Sequence, residues 1–252
     1  MKDIFTQHSS SLPPALSPGQ HAPSPQSPVP SHETIDDLRE YDLRIIQPKS
    51  GYRFSVDPLL LCRFAGPVDG RIIDLGTGSG VMSLIMARLS EQSQVVGVEV
   101  EQRPAALARR NVHLNDLDGR IEIVTADILH LKQRFPVSTF DLVLANPPYR
   151  PRGAGRISHI PGRDTARHES TALLADFLTV AKYLVRPSGR ICFIYHVSRL
   201  AELVAEASAL KLSLLRLQFV HGSAGDEARM VMLELAKGRS RELSVLPPLF
   251  VM

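Results

Sequence analysis

Residues 71–80 carry the strongest structural signal in this chain, and they read Arg-Ile-Ile-Asp-Leu-Gly-Thr-Gly-Ser-Gly. The apolar start predicts a short buried strand, and the three glycines predict a tight turn into an apolar helix over residues 81–89. Glycines let a backbone approach a ligand closely, and the first N–H groups of a helix have no partner within it. The spacing G-x-G-x-G differs from the G-x-G-x-x-G of dinucleotide-binding turns. Alone, this turn is weak evidence for a cofactor site.

Two acidic residues follow at the ends of predicted strands. The run 94–98 predicts the next strand and ends at Glu99, and the run 121–126 predicts a third strand that ends before Asp127. A carboxylate at the tip of the second strand is placed to accept hydrogen bonds from the two hydroxyls of a ribose. The acid after the third strand could bind an adenine amino group. Each acid by itself is also explained by a solvated turn.

The apolar run 140–145 ends in Asn146-Pro147-Pro148-Tyr149. The asparagine side chain and the carbonyl of Pro147 can both accept hydrogen bonds from one planar amino group, and two prolines hold the backbone that carries them. The tyrosine ring offers a face on which a flat substrate can stack. The tetrapeptide therefore predicts a site for an sp² amino nitrogen of adenine, cytosine or an amide, in line with an electrophilic methyl group. A strand that merely ends in a proline-rich turn is the alternative.

Strands and helices alternate through the rest of the chain. Helices are predicted at residues 104–115, 171–185 and 197–210, and strands at 190–195, 213–220 and 229–235. Strands that alternate with helices of this length indicate βαβ units and a largely parallel sheet. The fold class is therefore α/β and Rossmann-like.

The first part of the chain differs in composition from the rest, with seven prolines between Pro13 and Pro30. Such a segment cannot bury enough apolar surface to offset its ordering entropy, so residues 1–34 are predicted to be a disordered tail. Residues 35–252 then form one domain, with a hairpin and lid at 35–70 and a catalytic core at 71–252. The tail lacks the pattern of a signal peptide, and no apolar run approaches the ~20 residues that span a bilayer. No Cys/His cluster has metal-ligand spacing, so we expect no metal partner. Together with the preceding observations, this predicts a cytoplasmic protein without membrane partners.

A segment between tail and core predicts a hairpin with Pro48-Lys49-Ser50-Gly51 as its turn. After it, Asp57 is predicted as a helix N-cap and Pro58 as the first helical residue. The cap alone would explain Asp57. The functional alternative places this segment as a lid over a cofactor, with Asp57 near the substrate.

The formal net charge is only +3, but basic residues concentrate between positions 150 and 168. Five arginines and two histidines there face a single acid, Asp164, and glycines between them indicate a mobile loop. Arginine forks suit phosphate oxygens. We predict contact with RNA or DNA, against the alternative of a solvated basic loop, through Arg150, Arg152, Arg156 and Arg163.

The order of these features, each at a strand end, resembles that of class I S-adenosylmethionine-dependent methyltransferases. The resemblance implies a seven-stranded, mostly parallel sheet in which one of the last two strands reverses direction. With the hairpin and the Asp-led helix, residues from about 40 to 250 are similar to the bacterial tRNA (valine-type) adenine-N6 methyltransferases. Those relatives often have Thr-Asp-Gly in the lid where this chain has Val56-Asp57-Pro58.

The resemblance implies S-adenosyl-L-methionine as cofactor and methyl transfer to the N6 amine of an adenine in a structured RNA, with tRNA as the favoured substrate. The catalytic residues would be Asn146, Pro147 and Tyr149. The substrate would contact Asp57, Pro148, Tyr149 and the four arginines. Asp74 would either accept from the cofactor ammonium or support the turn. The implied cofactor-binding set is Asp74, Gly76, Thr77, Gly78, Gly80, Glu99, Asp127 and Asn146.

Other functions share part of this pattern. Glutamine N5-methyltransferases that act on translation release factors also use N-P-P-Y, but they usually carry a helical domain that residues 1–70 cannot supply. Guanine-N2 enzymes of ribosomal RNA more often have Phe at position 149, and DNA adenine enzymes carry target-recognition insertions that are absent here. A fold kept for binding alone is disfavoured by the intact turn, both strand-end acids and the tetrapeptide.

Overall fold

The computed structural model describes residues 30–51, 53–148, 172–238 and 242–251. The elements in chain order are β1 (Glu33–Leu38), β2 (Leu43–Pro48), α1 (Asp57–Ala65), β3 (Gly70–Leu75), α2 (Val81–Leu89), β4 (Ser93–Glu99), α3 (Gln102–Leu114), β5 (Ile121–Thr125), β6 (Phe140–Ala145), α4 (Leu174–Leu184), β7 (Val185–His196), α5 (Leu200–Ala209), β8 (Leu212–His221), β9 (Ala228–Lys237), β10 (Ser244–Val245) and β11 (Leu249–Phe250).

The main sheet has the strand order β5-β4-β3-β6-β7-β9-β8, and β10 and β11 both pair with β8. Strands β5, β4, β3, β6 and β7 are parallel, whereas β9 runs antiparallel to its neighbours β7 and β8. The short link from β8 to β9 requires this reversal, because parallel neighbours need a long crossover. The Rossmann-like α/β class and the reversed strand are confirmed.

The predicted number of seven strands is wrong, since the described residues form a nine-stranded sheet. The two additional strands, β10 and β11, are two residues long each and lie parallel to β8 at the edge of the sheet. Short segments of this kind have no alternating pattern that a sequence could reveal. They cover the backbone edge that β8 would otherwise expose.

The central strands bury side chains on both faces, as expected for a parallel sheet between helices. Ile72 belongs to a core shared with α1, α2 and α3, whereas its neighbour Ile73 belongs to a second core shared with α4 and α5. Likewise, Leu142 belongs to the first core and Val143 to the second. The helices of the first core and those of the second therefore lie on opposite sides of the sheet.

Helix α2 has the predicted bounds, but β7 begins at Val185, earlier than predicted. The Pro187-Ser188-Gly189 sequence, expected to separate helix from strand, lies within β7, whose pairing with β6 shifts register there. Gly189 lies against β6 so closely that a Cβ atom would come within 2.8 Å of the Asp141 carbonyl oxygen. The segment remains a strand because its glycine permits this approach.

Strands β1 and β2 form a separate antiparallel hairpin over residues 33–48, and the turn predicted for a hairpin in this segment is wrong. The turn lies at residues 39–42, where Asp42 has φ 49°, and Pro48–Gly51 follow the second strand. Aspartate tolerates this left-handed conformation better than most residues. Strand β1 begins at Glu33, slightly before the predicted boundary of the tail, and residues 1–29 lie outside the described part of the chain.

Helix α1 begins at Asp57 itself, so the prediction of Asp57 as N-cap is wrong. Val56 occupies the cap position without a side-chain hydrogen bond, and Pro58 is the second helical residue. Proline is tolerated there because the first N–H groups of a helix have no acceptor in the preceding turn. The Asp57 carboxylate accepts a hydrogen bond from the hydroxyl of Ser55 at 2.9 Å.

Candidate active site

The glycine-rich turn joins β3 to α2 and is held against β4. Gly76, Gly78 and Gly80 have φ values of 81°, 58° and 88°, a region that side chains other than glycine rarely adopt. The N–H groups of Gly76 and Thr77 both donate to the carbonyl of Val98, at 2.9 and 2.8 Å. The turn is therefore fixed to the end of the neighbouring strand.

Glu99 lies at the end of β4, as predicted, and it connects two loops. Its Oε2 accepts from the N–H of Gly78 at 2.9 Å, and its Oε1 accepts from the N–H of Glu101 at 3.0 Å. The carboxylate is partly buried beside the glycine-rich turn. These backbone donors fix its direction, which is what recognition of a hydroxyl-bearing ligand requires.

Asp74 is fully buried beneath the turn. Its Oδ2 accepts from the hydroxyls of Thr77 at 2.6 Å and Ser83 at 3.1 Å, whereas its Oδ1 has no hydrogen-bond partner among the described residues. Burial raises the pKa of this carboxyl to about 6, although the two hydroxyl hydrogen bonds act in the opposite direction. The Oδ2 atom of Asp74 thus supports the turn, whereas its Oδ1 atom is available to accept a further hydrogen bond.

Asp127 lies just after β5, and the Ala126 N–H donates to the carbonyl of Glu99 at 3.0 Å, so the two strand ends are adjacent. The Oδ1 of Asp127 accepts from the N–H of Leu129 at 3.0 Å and caps the 3-10 helix Ile128–Gln133. Capping accounts for one oxygen of this carboxylate. Its role toward an adenine stays a prediction.

Asn146 follows β6 and shares a pocket with the glycine-rich turn. The residues that line this pocket are Phe54, Pro58, Gly76, Thr77, Gly78, Ser79, Val81, Met82 and Asn146. Pro147 is buried and Pro148 is exposed. The structure therefore brings the start of the N-P-P-Y motif to the turn across about seventy residues of sequence.

Several predicted site residues lie outside the described part of the chain, namely Tyr149, Arg150, Arg152, Arg156 and Arg163. Their assignments stay predictions. In the parts that the structure describes, no helix is long and apolar enough to cross a bilayer. Within the same residues, no group of three or more His, Cys, Asp or Glu side chains is arranged to hold a metal ion.

Phe54 and Pro58 also line this pocket, and neither is among the site residues that the sequence predicts. Phe54 is a partly buried aromatic residue packed against the first core. An aromatic residue within the polar segment Arg53-Phe54-Ser55 was the signal that could have revealed it. Phe54 and Pro58 thus bring part of the predicted lid segment to the pocket, and the role of this segment as a lid stays a prediction.

The far end of α1 is held by two arginines from the sheet. Arg190 donates to the carbonyl of Ala65 and Arg216 to the carbonyl of Phe64, both at 3.0 Å. Both guanidinium groups also pair with the buried Glu234, at 3.0 and 2.6 Å. Cations at a helix C-terminus satisfy its last carbonyls and complement its dipole. The helix that carries Pro58 to the pocket is therefore anchored at its opposite end.

A pocket at the carboxyl ends of the central parallel strands, lined by a glycine-rich turn and by Asn146, is typical of class I methyltransferases. The chain belongs to the methyltransferase small domain family, whose profile matches residues 56–202, more than half of its length. It is a methyltransferase, as the sequence resemblance implied.

Individual relatives agree with this assignment. A Porphyromonas gingivalis protein named tRNA1(Val) (adenine(37)-N6)-methyltransferase is 32% identical over 199 residues, which span 75% of this chain and 76% of that protein. The solved structure of TrmN from Thermus thermophilus matches with a TM-score of 0.53 and 26% identity, over 71% of this chain and 48% of that one. A predicted O-methyltransferase from Agrobacterium tumefaciens matches with a TM-score of 0.58 and 25% identity, over 71% and 79%. The resemblance to class I N6-adenine methyltransferases is confirmed.

Proposed function

We propose that this enzyme transfers a methyl group to the exocyclic N6 amine of an adenine in tRNA. The observation that carries the proposal is the position of Asn146, which lines the same pocket as the glycine-rich turn. Relatives named as tRNA1(Val) adenine(37)-N6 methyltransferases support adenine in tRNA as the substrate. A tRNA substrate also agrees with the cytoplasmic location expected from the sequence.

The methyl donor is S-adenosyl-L-methionine, and the residues of the cleft fit it. A Cβ atom at Gly78 would meet nothing within 4 Å, so a ligand has room to approach the turn there. The buried Oδ1 of Asp74 is an acceptor suited to the donor's ammonium group. Glu99 would accept from the ribose hydroxyls and Asp127 from the adenine amine.

The chain's own contribution to the reaction is orientation. When bound, the donor would supply an electrophilic methyl carbon on a positively charged sulfur, with the neutral thioether as the leaving group when the carbon–sulfur bond breaks. Asn146 Oδ1 and the carbonyl of Pro147 would accept from the two N–H bonds of the adenine N6 nitrogen and increase its electron density, with the base stacked on Tyr149. Such positioning and fixed dipoles are sufficient to lower the barrier. A strong base is unnecessary because the methylated nitrogen is acidic and loses a proton to water.

The substrate base must leave its stack to reach this pocket, which costs least in a single-stranded loop of a structured RNA. Arg150, Arg152, Arg156 and Arg163 follow the motif directly and are suited to the phosphates that flank such a base. Pro148 and Asp57 would complete the contacts with the substrate.

The test is to incubate the protein with labelled S-adenosyl-L-methionine and tRNA from cells that lack its gene, then digest the RNA and identify the labelled nucleoside. We expect N6-methyladenosine, and we expect Asn146→Ala to remove it while donor binding persists. Label in ribosomal RNA or in a protein glutamine, from protein that leaves tRNA unlabelled, would replace this proposal by one of those two functions.

A further inference from the structure

Gln47, on β2, links the hairpin to Phe54, which lines the pocket. Its side chain is buried, its Oε1 accepts from the N–H of Phe54 at 3.1 Å, and its Nε2 donates to Asp36 Oδ2 at 2.6 Å. The amide oxygen of Gln47 thus binds Phe54 of the pocket lining, and its amide nitrogen binds Asp36 of the hairpin. Glutamine suits this place because no carboxylate or apolar side chain can make both bonds.

The residue before Phe54 is fastened to the same hairpin. The guanidinium of Arg53 pairs with Asp36 at 2.5 Å, and it also donates to Thr34 Oγ1 at 3.0 Å and to the carbonyl of Pro48 at 3.1 Å. Asp36 therefore accepts from both Gln47 and Arg53. The hairpin thus holds two consecutive residues, Arg53 through its guanidinium and Phe54 through its backbone N–H.

The hairpin is in turn held against the glycine-rich turn by Asn111 of α3. Asn111 is fully buried, and its amide pairs with the N–H and the carbonyl of Ile46, at 2.7 and 3.2 Å. The same Nδ2 donates to the carbonyl of Ser79 in the turn, at 2.9 Å. Ile46 and Gln47 are adjacent, so one short stretch of β2 connects the glycine-rich turn with Phe54, and both line the pocket.

Asn115, the residue that follows α3 at its C-terminus, provides a natural comparison. Asn115 pairs with the N–H and the carbonyl of Arg44, both at 2.8 Å, as Asn111 does with Ile46. Its other described side-chain hydrogen bond goes to the carbonyl of Asn111. It thus fastens the hairpin to α3 in the same manner, but without the bond to Ser79.

We propose that Gln47 is a positioning residue for donor binding, which holds Phe54 over the cleft at a distance from the turn that Asn111 sets. The inference rests on the proposed function, because it takes the cleft to be the donor site. Without the Gln47 amide, the Phe54 N–H loses its acceptor and the part of the pocket lining that Phe54 supplies is no longer fixed. Donor affinity then falls, while the chemical step at saturating donor, which depends on Asn146, is largely unchanged.

The chain contains no tryptophan, so Phe54→Trp introduces a single fluorescent reporter at the pocket. We would titrate this variant with S-adenosylhomocysteine and expect a change in its emission. Gln47→Leu in the same background should raise Kd about three- to tenfold, the usual effect of one lost hydrogen bond. Asn115→Ala should leave Kd within about twofold, although it also removes hydrogen bonds to the hairpin. Calorimetric titration without the reporter checks both values.

Steady-state kinetics separate positioning from a merely structural role. With Phe54 intact, Gln47→Leu should raise KM for the donor by the same factor as Kd and leave kcat nearly unchanged. If Gln47→Leu does not fold, as judged by circular dichroism, Arg53→Met replaces it and should also raise Kd. Equal changes of Kd in Gln47→Leu and Asn115→Ala, or an unchanged Kd in Gln47→Leu, would overturn the inference. A parent protein that binds no S-adenosylhomocysteine would instead overturn the proposed function.

Discussion

Two regions meet at the pocket, and they are built in different ways. The strand-end region consists of the glycine-rich turn, Glu99 and Asn146, and each of these follows directly from the strand that precedes it. The hairpin region reaches the pocket through side-chain hydrogen bonds between distant parts of the chain, such as the pairing of Asn111 with Ile46 across 65 residues. The first region carries the groups suited to the chemistry, and the second fixes the space in which they act.

The largest effect should come from the strand-end region. Asn146→Ala removes a hydrogen-bond acceptor from the reacting amine, and such losses typically reduce kcat by about 10²–10³-fold. Donor affinity should stay within about threefold, since the glycine-rich turn and Glu99 are untouched. Single-turnover methyl transfer and calorimetric titration with S-adenosylhomocysteine measure the two quantities. Transfer that survives in this variant would assign the chemistry to other residues.

The pH dependence of the free energy of unfolding tests whether the burial of Asp74 in the strand-end region reduces stability. Its folded-state pKa of about 6 lies above the ordinary value of 3.8, so the folded protein binds this proton more tightly than the unfolded chain. The contribution of Asp74 to stability therefore falls as pH rises from about 4 to 6, by about 3 kcal/mol at 1.36 kcal/mol per pKa unit, and is constant above that range.

Asp74→Asn cannot ionise and should not show this loss. The free energy of unfolding of the variant, relative to the original protein, should thus increase between pH 4 and pH 7 in urea titrations. Donor affinity should decrease in the same variant, because the amide offers no charged acceptor to an ammonium group. A variant with the same pH dependence as the original protein would show that the buried carboxyl does not titrate in this range.

Alanine substitutions at two glycines of the turn distinguish the cost of crowding in the core from the loss of space for a ligand. Gly80→Ala places a Cβ atom 3.2 Å from the Cβ of Ala108 at a φ of 88°, so it should cost stability through both strain and crowding. Gly78→Ala meets nothing within 4 Å and should cost only the strain of its positive φ, about 1–2 kcal/mol. If the space above Gly78 holds the donor, Gly78→Ala should nevertheless weaken donor binding. Thermal unfolding and titration of both variants measure the difference.

The same division explains what could be predicted from the sequence. The turn, Glu99 and Asn146 were found because a strand, its end and the next polar residue are neighbours in sequence. The predicted position of the hairpin turn is wrong because β1 and β2 pair across residues 39–42, where Asp42 has φ 49°. Gly51 also has a positive φ, but the Pro48–Gly51 sequence lies at the end of β2 instead of closing the hairpin.

Gln47 and Asn111 were missed because their partners are set by tertiary packing. Asn111 did leave a signal, since it is a polar residue on the stripe of α3 that also contains Ala105, Ala108 and Val112. A buried amide on an apolar stripe must find hydrogen-bond partners, and here those partners are the backbone of β2 and the turn. Such a residue predicts a contact but not its partner.

The smallest effect should come from the outer side of the hairpin, where Arg110 of α3 pairs with Glu33 of β1 through two hydrogen bonds of 2.7 Å. The Arg110 side chain is 44% exposed, so solvent screens the pair and Arg110→Ala should cost less than about 1 kcal/mol. The hydrogen bond from Arg110 lowers the pKa of Glu33, so this contribution is present above the ordinary pKa of 4.5 and disappears as pH falls below it. Urea titrations at pH 7 and pH 3, at low and high salt, measure the cost.

Donor affinity should not change in Arg110→Ala, because Gln47 and Asn111 still hold the inner side of the hairpin. A weaker donor affinity in this variant would show that the whole hairpin, rather than these two amides, sets the width of the pocket.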